Sequence, residues 1–85
     1  MSKQHTHNFV EEYDGLVGFG LDRKTDEHTV TYYIQKFSDD EFMAFIRTRM
    51  SDEDMRNLFE LLGSLMKKYL TDDEYHSYFL KEDHH

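Results

Sequence analysis

No cysteine occurs among the 85 residues, so a disulfide framework, a thiolate metal site and a thiol nucleophile are all excluded. Proline is absent too, and no repeat or low-complexity linker marks an internal boundary. No apolar run approaches the roughly 20 residues that a bilayer span requires. The opening MSKQHTHNF contains no apolar h-region, and the expectation is a cytosolic chain without a secretory signal. Positive charge is scarce: ten Lys and Arg stand against 18 Asp and Glu, a net charge of −8. That balance argues against a phosphate-backbone binder and against docking on anionic lipid, and it favours basic partners. Nucleotide, calcium and hydrolase signatures are missing as well. Gly18-Phe19-Gly20 lacks the third glycine of a dinucleotide fingerprint, and no P-loop, EF-hand order or G-x-S-x-G occurs. No catalytic residue, metal or cofactor is assigned, and the chain reads as a non-enzyme.

What the chain does have is aromatic surface. Hydrophobic residues make up only 38%, but seven Phe and six Tyr raise the apolar area per residue enough to support a fold. A chain of this length buries only roughly 60–65% of its unfolded surface, so stability is modest. The reading is one domain over 9–80, with a mobile tail at 1–8 and a frayed end at 81–85.

The clearest element is SDEDMRNLFELLGSLMKKYL, residues 51–70. Met55, Leu58, Phe59, Leu62, Leu65, Met66 and Tyr69 recur at spacings of three and four, which places them on one helical stripe. Ser51 is a helix cap with Asp52, Glu53 and Asp54 in the first turn, and Lys67 and Lys68 occupy the last turn. Gly63 falls inside on the polar side. Thr71-Asp72-Asp73-Glu74 has the capping-box pattern and starts a shorter C-terminal helix to about Leu80.

The first half reads as sheet. In LVGFGL, Val17, Phe19 and Leu21 alternate with Gly18 and Gly20. In TVTYYIQKF, Val30, Tyr32 and Ile34 alternate with Thr31, Tyr33 and Gln35, and β-branched and aromatic residues dominate. The segment Phe42–Met50 fits two periods. Ser38-Asp39-Asp40-Glu41 resembles a capping box, with Phe42, Phe45, Ile46 and Met50 on one helical face. A strand with Phe42, Ala44 and Ile46 inward fits equally. A third strand makes a viable sheet of a marginal hairpin, and a helix to Met50 leaves no connection before Ser51, so the strand is preferred. The expected architecture is α+β: a three-stranded antiparallel β-meander, one long amphipathic helix packed on one sheet face, and a short C-terminal helix. Val17, Phe19, Leu21, Val30, Tyr32, Ile34, Phe42, Ala44 and Ile46 form the face beneath the helix.

The opposite sheet face then carries Tyr33, Gln35, Met43, Phe45, Arg47 and Arg49. Exposed aromatics beside arginine have the composition of an interaction hot spot. Tyr75, Tyr78 and Phe79 of the C-terminal helix are placed there too, as cover or as part of the surface. A second copy of the chain and a different protein with a basic surface are the other occupants. The functional expectation is a small acidic protein-interaction module, such as an adaptor, an inhibitor or an antitoxin-like partner. One alternative is a small-ligand or enzymatic pocket at the sheet, with Tyr33, Gln35 and Arg47 converging. Another is an acidic nucleic-acid mimic built from Asp39–Glu41, Asp52–Asp54 and Asp72–Glu74. Single-strand RNA stacking is disfavoured by the acidic charge and the missing RNP-type sequence. His5, His7, His84 and His85 are read as solvated tail residues rather than metal ligands, and His76 as a surface helical residue.

Overall fold

Asp22 decides the structure of the stretch that follows it. Its carboxylate accepts the Thr25 backbone N–H at 2.9 Å and the Thr25 hydroxyl at 3.1 Å, and the backbone at Asp22 is extended, as at a helix start. In a computed structural model that describes residues 5–82, a fifteen-residue helix runs from this cap. The elements in order are α1 (Asn8–Glu12), α2 (Arg23–Phe37), α3 (Asp40–Ile46), α4 (Asp52–Tyr69), α5 (Asp72–Glu74) and a π-helical turn, Tyr75–Phe79.

Among the described residues there is no strand, which overturns the α+β expectation and its three-stranded meander. The reason is local. A strand needs a partner for every backbone group, whereas a helix pairs its own. TVTYYIQKF has the β-type composition, but the side chains that pack, His28, Thr29, Tyr32 and Gln35, fall on one face at helical spacing. Arg23 donates to Glu27 one turn on at 2.9 Å, and the Thr31 hydroxyl donates to the Glu27 carbonyl at 2.8 Å. Cap, ion pair and helical period together override the strand propensity. LVGFGL is a loop. Gly20 adopts φ +92°, a left-handed conformation open to glycine, and the apolar residues meant for a sheet core are exposed. Phe42–Met50 divides into α3 and a turn. Asp39 Oδ2 accepts the Phe42 N–H at 3.0 Å and starts the helix, which ends at Ile46. The Arg49 N–H then donates to the Ile46 carbonyl at 2.9 Å, so the chain turns within 47–50 and needs no longer connection to Ser51.

Two compact units are distinguished among the described residues, Thr6–Arg49 and a second that contains 50–82. Residues 1–4 and 83–85 lie outside the described residues, and with them most of the two expected tails and the His84-His85 pair. Of the expected tail at 1–8, Asn8 already belongs to α1.

In the Thr6–Arg49 unit, α2 is the spine. The short α1 lies on it through rings: Phe9 stacks on Tyr13 at 4.9 Å, and His28 tilts against both at 5.7 and 5.1 Å. The Val10 N–H donates to Gln35 Oε1 at 2.9 Å, which fixes α1 along α2. The loop at 14–21 is pinned at two points. Thr29, the one buried residue among those described at 5% exposure, donates to the Gly18 carbonyl at 3.1 Å and accepts the Gly18 N–H at 3.0 Å. Asp26 accepts the Gly20 N–H at 2.8 Å. Phe37 and Phe42 meet edge to face at 5.1 Å and hold α3 against the end of α2.

In the other unit, α4 starts as expected. The Asp54 N–H donates to Ser51 Oγ at 3.0 Å, three acids fill the first turn and two lysines the last. Thr71 and Glu74 complete a reciprocal capping box at α5. The helix then widens: the Leu80 N–H donates to the Tyr75 carbonyl, five residues back, at 3.0 Å. Lys81, at φ 60°, closes this end, and the Glu82 N–H reaches the His76 carbonyl at 2.9 Å. Among the described residues there is no sheet for α4 to pack on, and its stripe is largely exposed: Phe59 is 76% accessible and Leu62 45%, with Met66 half-buried.

Candidate functional site

The residues expected on a shared sheet face are dispersed over three helical segments. Tyr33 and Gln35 lie on α2, with Tyr33 exposed and Gln35 half-buried against Val10. Met43 and Phe45 lie on α3, and Arg47 and Arg49 in the turn after it. Arg49 packs its guanidinium 4.2 Å above the Phe45 ring. Tyr75, Tyr78 and Phe79 belong to the π turn of the other unit, where Tyr75 and Phe79 stack at 5.5 Å. The cause is the change of period. Positions two apart share a face in a strand but lie on different sides of a helix.

A groove of about 880 Å³ does form within the Thr6–Arg49 unit. Val10, Val17, Tyr32, Phe37 and Phe42 supply its apolar wall. Tyr33, Gln35, Lys36, Asp39, Asp40, Glu11 and His7 supply polar groups of both signs. Lys36 Nζ lies 5.1 Å above the Tyr32 ring, and the Gln35 side-chain oxygen Oε1 is committed to the Val10 N–H. Arg47, expected to converge with Tyr33 and Gln35, is not among the lining residues.

The acidic clusters resolve into helix starts. Asp39 caps α3, Asp52–Asp54 follow the Ser51 cap of α4, and Asp72–Glu74 follow the Thr71 cap of α5. Each places carboxylates where the unpaired amides and the helix dipole favour negative charge. The Thr25 amide and hydroxyl beside Asp22 hold its carboxyl below the ordinary value of 3.8. Glu27, bonded by Arg23, is held below 4.5. Among the described residues, no group of three or more His, Asp or Glu side chains is arranged to hold a metal ion. In the same residues, no helix is long and apolar enough to cross a membrane.

Both α2, with Val30, Tyr33, Ile34 and Phe37, and α4 expose apolar side chains, and the row on α4 is the longer. Met55, Leu58, Leu62, Leu65 and Tyr69 form its seam, Phe59 flanks one side and Leu61 the other. These seven side chains are between 38% and 76% exposed. Chains rarely present so many large apolar groups contiguously unless something covers them. Helical spacing made six of these seven legible in the sequence, together with Met66, which is half-buried; Leu61 lies outside the stripe that spacing picks out, and that the stripe faces water is visible only in the structure. Features that escaped sequence reading include α1, the π turn, the buried Thr29 with its paired bonds to Gly18, and the Asp22 cap. The D-x-x-T spacing of Asp22 and Thr25 before an apolar period was the available signal for the cap.

No protein-family model matches the chain, and no curated protein or solved structure matches it either.

Proposed function

We propose that the chain is a protein-association module and that the α4 stripe is its working surface. Its partner is an amphipathic helix of complementary chemistry: an apolar seam with basic groups opposite Asp52–Asp54 and acidic groups opposite Lys67 and Lys68. The supporting observation is the exposure of seven large apolar side chains on one capped helix. Energetics point the same way: helices in proteins owe most of their stability to a packed apolar face. The segregated charge of α4 sets the order in which a partner helix must present its own.

The absence of cysteine makes the test direct. Leu62→Cys places a single thiol on the seam, and Glu60→Cys places one on the polar side of the same helix. In extract of the source cell, the seam thiol is expected to react with maleimide several-fold more slowly than the polar-side thiol. In the dilute purified chain the two are expected to react alike. Equal rates in both settings, or a slow seam thiol in the dilute chain as well, would overturn the reading.

A further inference from the structure

Resting on the association reading of α4, we infer that the partner helix is α4 of a second copy, paired antiparallel about a two-fold axis near residue 60. The seam repeats every seven residues: Met55, Leu62 and Tyr69 occupy one core position, Leu58 and Leu65 the other. When two such helices run antiparallel, the core closes in layers that join Met55 to Leu65 of the second copy and Leu58 to Leu62. Two exposed residues outside the seam, Leu61 and Phe59, then face their own counterparts on opposite flanks. Leu61 meets Leu61 and Phe59 meets Phe59. These are 55% and 76% exposed, and self-pairing buries both together with the seam.

Charge selects the direction. Asp54 and Lys68 lie on the same flank as Leu61, seven residues to either side of it. The antiparallel arrangement that sets Leu61 on itself sets Asp54 on Lys68, twice per dimer. Parallel pairing would instead bring two acidic first turns together at one end and two lysine pairs at the other. It would also align both helix dipoles. The two-fold axis makes the interface isologous and closed. The helix is about 27 Å long at 1.5 Å per residue, so the dimer belongs with small, concentration-dependent interfaces.

Charge reversal of the purified full-length chain, read by sedimentation equilibrium, tests both partner and direction. The chain is expected to dimerise. Asp54→Lys and Lys68→Glu should each weaken the dimer about tenfold, because two attractive pairs become repulsive. The double variant should restore it, although it places both charges against the helix dipole, so recovery does not come from a better helix. Pyrene on single cysteines gives the direction. Excimer emission is expected at Leu61→Cys and not at Asp54→Cys or Lys68→Cys, whose labels lie about 21 Å from their counterparts at 1.5 Å per residue. Excimer at all three positions would show parallel pairing and overturn the inference. So would a double variant no better than the single ones. A chain that stays monomeric while the Leu62→Cys thiol is still protected in extract would overturn self-pairing and leave the association reading with a different helix as partner. A monomer with that thiol unprotected would remove both.

Discussion

Thr29 shows how much one small side chain does in a chain with so little buried surface. Its hydroxyl satisfies both backbone groups of Gly18, eleven residues earlier, and so ties the loop at 14–21 to α2. Thr29→Val keeps the shape and strands a donor and an acceptor. It is expected to cost about 1–3 kcal/mol in denaturant unfolding and to speed amide exchange at Gly18, whereas Thr29→Ser retains most of the stability. Gly15 is constrained from the other side. The Tyr13 hydroxyl donates to the Leu16 carbonyl at 2.7 Å, and a Cβ on Gly15 would sit 2.6 Å from that same hydroxyl oxygen. Lys81 carries a left-handed backbone without being glycine. Lys81→Gly is therefore expected to stabilise the end of the π turn by about 1 kcal/mol, seen as slower amide exchange at Glu82.

The helices divide according to what holds them. The start of α2 depends on ionised side chains. Asp22 and Glu27 both have depressed folded-state pKa values, so their contribution is present above the ordinary carboxylate range and is lost as pH falls through the lowered values. Far-UV circular dichroism is expected to lose helix as the chain is acidified below about pH 4. Asp22→Asn, which keeps an acceptor but not the charge, should flatten that dependence. For α4 the periodicity and the Ser51 cap were legible because both are encoded within the helix. Its environment was not. Phe59 and Leu62 read as core on spacing alone, and a core truncation would cost several kcal/mol. With Phe59 exposed at 76%, Phe59→Ala is expected to change monomer stability by less than about 0.5 kcal/mol and to act on association instead. Equilibrium unfolding at low and high protein concentration separates the two effects. The first half was misread for an equally physical reason. Val30 to Ile34 satisfies period two and period 3.6 together, and the residues that decide between them, Asp22 and Asp39, lie outside the apolar run.

At the scale of the whole molecule, the described residues bury no apolar side chain completely, and each unit is held by its own rings, caps and backbone bonds. A chain so constituted gains stability from whatever covers α4, so its midpoint of thermal unfolding is expected to rise with protein concentration. A midpoint independent of concentration would contradict the dimer. The sequence by itself determined that α4 exists, where it is capped, which residues share its stripe and how its charge is ordered. Each of these depends on neighbours within about one turn. Only the tertiary structure decided that the first half coils rather than pairs, that Thr29 reaches back to Gly18, and that the stripe has no sheet beneath it. The first of these follows from local caps, Asp22 and Asp39, that lie outside the apolar runs; the other two depend on which groups meet across the chain, and a period read along the sequence carries no record of what lies opposite.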